Sequence, residues 1–507
     1  MTHSRGGQQT PTTRQQPDII DGNRKPNRHP AVPVHSVIDA PLVDKQDVDS
    51  PPVTPAAADV PAVRRFGYWS GHLVVVGSMI GAGILTTSGY TLRETGNPHA
   101  LIGLWILGGL LALCGAVTVA EIATTLPRSG GDYVFVREAF GPTAGFVSGW
   151  ATFAIGFAAS TAFVADFALT YLLAPFGDAI PPWANRLAAS ALILIIGAVH
   201  TLGHTHSSRL QSIATIITIA VLLGLAFGGI CCGHGDWSHM SNFKLPTGSH
   251  WWALAVGLIY VSYAYTGWNA AAYLAGELRN PARNLPRCLI GGTATVMLLY
   301  LLVNLAYVYA LNPDTLSEMS EEDVGPVARL AVEALFGRSA ADIVAAILGL
   351  TLVASVSAYL LTGPRVAFAM ARDRMFPGFA GRLHPTRGTT AAATLTQAVL
   401  AAALVWTGSS ADLLDYAAVG LAVLAGLTVA SVFPIRRRRD LIALYRLPLY
   451  PLPPLIYLGF TGWTVAGMLI DPEKRTAALL SICTLLLGIP LYLLIGEPIR
   501  NAKSAGS

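Results

Sequence analysis

The sequence predicts an all-α polytopic membrane protein with twelve transmembrane helices, the first ten arranged as a five-plus-five inverted repeat with discontinuous helices 1 and 6. Three observations predict it. The 507 residues are 53% hydrophobic and 12% charged, with a mean hydropathy of +0.52, far from the composition of a soluble domain. About twelve apolar stretches long enough to cross a bilayer fit between Phe66 and Gly496. Two of them, the first and the sixth, are interrupted by glycine, in Gly77-Ser-Met-Ile-Gly-Ala-Gly83 and in Tyr263-Ala-Tyr-Thr-Gly-Trp-Asn269.

Residues 1–62 are polar and proline-rich, with no periodicity and no compact apolar stretch of the signal-peptide kind, and read as a disordered cytoplasmic tail. Residues 63–498 read as one integrated transmembrane domain and 499–507 as a short cytoplasmic tail. The spans fall at roughly 68–94, 99–125, 143–174, 183–202, 208–230, 251–276, 287–311, 339–371, 389–407, 412–432, 453–470 and 476–495. With Arg64 and Arg65 placed inside, the same side receives Arg128, Arg137, Arg209, Arg279, Arg283, Arg287, Arg372, Arg374, Arg382, Arg387, the run Arg436 to Arg439, Arg500 and Lys503. The other side receives Asp178, Asp236 and Glu318-Met-Ser-Glu-Glu-Asp323, with Arg93, Lys474 and Arg475 as exceptions. This asymmetry supports an even number of spans with both termini cytoplasmic, since an odd count would scatter the arginines over both faces. Each interrupted span opens a unit of five, and because five is odd the second unit enters from the opposite side; spans eleven and twelve are then accessory.

The net charge of +4 is small and carries no nucleic-acid signal. Cys114, Cys231, Cys232, Cys288 and Cys483 are too scattered for a disulfide framework. Cys231 and Cys232 with His234 and His239, and the trio His200, His204 and His206, have metal-like composition. Adjacent cysteines do not readily share one tetrahedral ion and the histidines lack an acidic or thiolate partner, so no metal is expected at either. There is no His-Glu-x-x-His, no Gly-x-Ser-x-Gly and no phosphate-binding loop, which argues against an enzyme.

Unwound backbone at membrane depth is tolerated where it is buried in protein or lines a cavity, so each break marks a candidate site. In the first, glycines let the amides of Gly81, Ala82 and Gly83 turn toward one point, and a half-helix starting there adds its positive end; together they form a neutral cradle for a carboxylate. The same small residues also suit close helix packing, and that reading stays open. In the second, unwinding exposes carbonyls that suit an ammonium group, so the two breaks together describe a receptor for an α-amino acid. Tyr263, Tyr265 and Trp268 also suit lipid-facing or core positions.

Gly77-Ser-Met-Ile-Gly-Ala-Gly-Ile84, Ala120-Glu121 followed by Pro127-Arg-Ser-Gly-Gly-Asp-Tyr133, and Tyr265-Thr-Gly-Trp-Asn269 followed by Gly276-Glu277 and Asn280-Pro-Ala-Arg-Asn-Leu-Pro286 together resemble the amino acid-polyamine-organocation (APC) superfamily of permeases. The last block is most similar to the L-type amino acid transporter branch. The matches run in order through Asn304-Leu-Ala-Tyr307, while spans nine to twelve match in general character only.

The resemblance implies a LeuT-like fold, an amino acid permease domain over residues 63–498, and a substrate held between spans one and six. It places the carboxylate on Gly81, Ala82 and Gly83, and the amine on carbonyls near Met79 and at Tyr263, Ala264 and Thr266. Tyr263 takes the position of an extracellular-side aromatic gate. Thr266 lines the side-chain pocket where relatives often carry glycine. Thr218 replaces a span-five lysine that many relatives have, which leaves the coupling ion, H+ or Na+, open; Ser355 and Ser357 are candidate sodium ligands or self-bonded helix serines. Asp166 is an intramembrane acid and a coupling candidate for that reason alone.

The expected activity is secondary transport or exchange of amino acids, neutral ones because neither break carries a charged residue, by alternating access and without a cofactor. The alternatives are a permease for polyamines, cationic or sugar-modified amino acids, and a transport-silent nutrient sensor. The loop Ala174-Pro-Phe-Gly-Asp-Ala-Ile-Pro-Pro-Trp183 lacks the cysteine by which some eukaryotic relatives attach a heavy subunit, so no disulfide-linked partner is expected. The expected location is a lipid bilayer, as a multi-pass protein of a bacterial inner membrane.

Overall fold

A computed structural model of the chain describes residues 67–126, 131–179, 181–202, 207–241, 250–384 and 388–504. The N-terminal tail, Arg64, Arg65, Arg128, His204, His206 and Arg387 lie outside them. Every regular element among the described residues is a helix. The chain opens with α1 (Tyr68–Met79) and α2 (Ala82–Thr95), which meet at 43° across Ile80 and Gly81 and together are long and apolar enough to cross a membrane. Next come α3 (Pro98–Thr125), the short α4 (Gly131–Phe140), α5 (Pro142–Phe176), α6 (Pro182–Leu202) and α7 (Gln211–Cys232).

After these, α8 (His250–Ala264) breaks off and the chain resumes as a 3₁₀ helix over Ala270–Glu277, followed by α9 (Pro281–Ala310). Three short helices, α10 (Pro313–Glu318), α11 (Glu321–Val324) and α12 (Val327–Phe336), lead into α13 (Arg338–Arg372). The last elements are α14 (Ala391–Leu404), α15 (Ser410–Arg437), α16 (Leu452–Ile470) and α17 (Arg475–Ser504). Nine single helices among the described residues satisfy the length and hydropathy of a span, and α8 and α14 are shorter apolar helices.

Local chemistry sets several boundaries. Asn97 accepts hydrogen bonds from the amides of His99 and Ala100 while Pro98, which has no amide hydrogen to leave unpaired, begins α3. A capping box between Ser409 and Asp412 opens α15, each side chain bonding the other's amide.

The packing is regular. α2 lies on α8, α3 on α9, α5 on α13 and α6 on α14. Small residues set these approaches: a β-carbon on Gly349 would stand 2.6 Å from Cγ of Leu172, and one on Gly197 would stand 2.7 Å from Cβ of Ala398. In a bilayer, where lipid tails are as apolar as leucine, such close backbone packing is what holds helices together. Ile195, Val199, Ile213, Ile216, Leu486 and Leu487 point outward from α6, α7 and α17, a belt that only lipid can satisfy.

Candidate functional site

The two breaks meet. A β-carbon added to Gly83 would stand 2.5 Å from Cα of Ala264, so α2 and the end of α8 touch backbone to backbone. Across the same junction Gly267 has φ +99°, a conformation that favours glycine, and a β-carbon there would stand 2.5 Å from the carbonyl oxygen of Ser78. Each break is therefore shaped by a glycine that the other presses on. No side chain caps the start of α2, the positive end of the half-helix.

Tyrosines of neighbouring helices brace the carbonyls at the breaks and in the first turn of α2. The hydroxyl of Tyr300 on α9 donates to the carbonyl of Met79 at 2.7 Å and lies 3.3 Å from that of Ala264, so one group spans both breaks. Tyr307, seven residues on and on the same face, donates to Ile84 at 3.1 Å, and Tyr171 on α5 donates to Leu85 at 2.9 Å. The Tyr263 carbonyl accepts from the Thr266 hydroxyl at 2.7 Å. Three of the carbonyls assigned to an amine thus already carry one hydrogen bond each from, or lie near, a protein hydroxyl, and each keeps a second lone pair.

The Tyr263 ring is buried and meets Phe163 of α5 edge-on, with centroids 5.7 Å apart. Tyr265 packs against Trp105 and Tyr300 and donates to the Trp105 carbonyl at 3.1 Å. Trp268 sits on Gly115 of α3. Thr266, Tyr263 and Ser262 line a cavity closed on its other sides by Gly108 and Ala112 of α3, Ala418 of α15 and Tyr457 of α16.

A second, smaller cavity gathers Gly81, Thr218 and Ser355 with Thr215, Gln211 and Thr351. Thr218 donates to the Ala214 carbonyl at 3.0 Å and Ser355 to the Thr351 carbonyl at 3.3 Å, each within its own helix. Ser357 is not brought there; its hydroxyl lies 2.9 Å from Nε2 of His200 on α6. Asp166 is engaged by the Asn185 amide at 2.9 Å and by the Ser410 hydroxyl. Cys231 and Cys232 are exposed, His234 and His239 each lie against a backbone carbonyl, and no group of three metal-ligand side chains occurs among the described residues.

Sequence reasoning did not single out Asp132. Its carboxylate accepts from the Asn269 side-chain amide at 2.9 and 3.0 Å and from the Tyr273 hydroxyl at 2.9 Å, which ties α4 to the 3₁₀ helix just past the second break. Burial pushes the Asp132 carboxyl up from its ordinary value, and the bonds from Tyr273 and Asn269 oppose that shift. Only the Gly-Gly-Asp-Tyr stretch hinted at it, because a contact across 137 residues leaves no local trace. Tyr300 escaped for the same reason.

On the side of the basic loops, Glu121 holds Arg436 through two bonds of 2.5 and 2.6 Å and also accepts the Leu447 amide at 2.6 Å, while the guanidinium lies 3.7 Å over the Tyr450 ring. Arg137 pairs with Asp373 at 2.6 Å, and Tyr133 donates to the same carboxylate.

Residues 66–494 match the family model described as Amino acid permease. The chain is similar to the Asc-type amino acid transporter 1 of Mus musculus, 27% identical over 87% of this chain and 82% of that protein. It is similar to the Large neutral amino acids transporter small subunit 2 of Homo sapiens, 28% identical over 88% of this chain and 83% of that protein. It is also similar to the Serine/threonine exchanger SteT of Bacillus subtilis (strain 168), 26% identical over 85% of this chain and 96% of that protein. A family match over nearly the whole helical domain, together with relatives that are amino acid transporters and an exchanger, places this chain in the amino acid permease family of the APC superfamily, near the L-type branch, as a membrane transporter rather than an enzyme.

Proposed function

We propose that the protein exchanges neutral amino acids across the membrane by alternating access, binding the substrate backbone at the junction of the two breaks. The observation that carries this reading is the junction itself: the start of α2, which no side chain caps, lies against the end of α8 where Gly83 meets Ala264 and Gly267 meets Ser78, and the Tyr300 hydroxyl braces the Met79 carbonyl beside it. The amides of Gly81, Ala82 and Gly83 take the carboxylate, and second lone pairs at Met79, Tyr263, Ala264 and Thr266 take the ammonium. Tyr263 gates the site and Thr266 borders the side-chain compartment. No formal charge stands within either break to recognise an acidic or basic side chain, which favours neutral substrates, the class named in one relative.

The fold reading is a LeuT-like architecture of twelve spans, counting α1 with α2, α8 with its 3₁₀ continuation, and α14 beside the nine longer helices. Support comes from the pairing of α2 with α8, α3 with α9, α5 with α13 and α6 with α14, in which the first four spans of the first unit each pack on the counterpart five spans later. Both termini are cytoplasmic, on the side of Arg137, Arg372 and Arg436, and the membrane is a bacterial inner membrane. The turn from 174 to 183 has no cysteine, so the transporter acts without a disulfide-linked partner.

Exchange is favoured over ion coupling because Thr218 carries no charge to take up a proton and one relative is named as an exchanger. The test is reconstitution in liposomes preloaded with serine, alanine, leucine, putrescine or nothing, with external labelled serine. Accumulation that requires an internal amino acid, and is indifferent to sodium and to a pH gradient, is the expected result. Accumulation into empty liposomes driven by sodium or protons would refute exchange, and stimulation by putrescine alone would refute the amino acid site.

A further inference from the structure

On the face opposite the basic loops, five elements join in a closed circuit of polar contacts. Arg93 of α2 pairs with Glu321 of α11 at 3.1 Å and donates to the Met319 carbonyl at 3.1 Å. Glu321 also pairs with Lys474, in the turn between α16 and α17. Lys474 in turn lies 3.5 Å from Asp415 of α15, both side chains being 3% exposed. Asp415 accepts from the Tyr260 hydroxyl of α8 at 2.8 Å, and the Tyr260 ring lies against Tyr90 of α2, with centroids 5.7 Å apart, which closes the loop.

The geometry points to Lys474 as the bolt of the outer closure, a positioning residue through which the accessory pair α16 and α17 controls access to the site; the inference rests on the orientation and alternating access proposed above. The argument is topological. Any separation of elements joined in a ring breaks at least two links, so α2 and α8, the half-helices that adjoin the two breaks, cannot part from α11 and α15 one contact at a time. Lys474 makes two consecutive links, to Glu321 and to Asp415, so neutralising it opens the ring into a chain with free ends. A lysine at 3% exposure is retained only where carboxylates meet it, and here burial opposes its charge while Asp415 and Glu321 hold its pKa above the ordinary lysine value. Its carrier is firmly seated, since a β-carbon on Gly467 of α16 would stand 2.6 Å from Cβ of Ala255 of α8. Two further observations fit a closure rather than passive packing: the Tyr90 hydroxyl is buried without a hydrogen-bond partner among the described residues, beside the Tyr260 ring, and Glu94 adds a third carboxylate next to Arg93 at 3.7 Å.

The test is amide hydrogen exchange of the full chain in lipid nanodiscs, comparing Lys474→Met, Lys474→Arg and Glu321→Gln with the parent. Exchange over residues 87–95 and 250–262 is expected to rise at least tenfold in Lys474→Met and in Glu321→Gln, to stay within threefold in Lys474→Arg, and to be unchanged over residues 116–125. A general loss of structure would raise exchange everywhere. Should Lys474→Met fail to insert, Glu321→Gln decides, because Glu321 lies on a short helix beyond the spans; exchange within twofold of the parent in that variant overturns the inference. The readout needs no substrate, so its failure is distinguishable from failure of the amino acid reading, which the liposome assay tests.

Discussion

Gly83 and Ala264 stand so close that a single β-carbon on Gly83 would lie 2.5 Å from the Ala264 α-carbon. Backbone contacts of this kind cannot be relieved by turning a side chain, so Gly83→Ala must push α2 and α8 apart or unseat one break. Overpacking typically costs about 1–3 kcal/mol, a range that a well-packed bundle survives. The expected result is a protein that inserts and purifies normally but binds amino acid at least tenfold more weakly in equilibrium binding. Unchanged affinity would remove the first break from the site.

Tyr300 is the brace between the breaks. Tyr300→Phe keeps the ring stack with Trp105 and Tyr265 and removes only the hydroxyl that donates to Met79. Leaving a buried carbonyl without its donor costs about 1–3 kcal/mol. Spread between the liganded and free states, that corresponds to a weakening of roughly 5- to 150-fold at most. Measured Kd in Tyr300→Phe is expected to rise within that range, and a tighter Kd would mean that the hydroxyl competes with the substrate amine.

How much of this was legible in sequence depends on the distance over which each feature is written. Hydropathy marks spans because bilayer thickness fixes helix length, and the glycines of 77–83 and 263–269 mark breaks because unwinding needs them locally. The break at Ile80 and Gly81, and the positive φ at Gly267, fall inside those two segments. Tyr300 and Asp132 were illegible because their partners lie 221 and 137 residues away. Lys474 read as a stray exception to the charge asymmetry, and its burial between two carboxylates depends on three elements that only the folded chain brings together.

Asp132 gives the chain a pH dependence of definite sign. Its folded-state pKa is raised by burial, so the folded state holds the proton more tightly than the unfolded chain does. Its contribution is therefore fully present below the ordinary carboxylate value of about 4 and declines as pH rises through the raised native value. Parent and Asp132→Asn should differ in thermal midpoint by an amount that changes across that window and is flat above it. A difference independent of pH would assign Asp132 a purely steric role.

On the side of the basic loops, the Glu121–Arg436 pair should contribute more than the more exposed pairs around it. The Glu121 side chain is 4% exposed and Arg436 26%, so the pair is screened on one side only. Breaking a fully buried pair by removing one partner costs about 3–5 kcal/mol, and exposed pairs contribute about 0–1 kcal/mol. Glu121→Gln sits between these limits and nearer the first, because the carboxylate also anchors the Leu447 amide and an amide side chain can accept with only one of its two terminal atoms. A loss of about 2 kcal/mol is expected for Glu121→Gln in denaturant midpoint, with a visibly smaller shift for Glu138→Gln, whose partner Arg438 faces solvent. A double-mutant cycle with Arg436→Gln then separates the pair from the Leu447 bond, since only the pairwise part vanishes once Arg436 is gone. If Glu121→Gln costs as much in the Arg436→Gln background as in the parent, the ion pair contributes nothing and the backbone anchor is the whole of the effect.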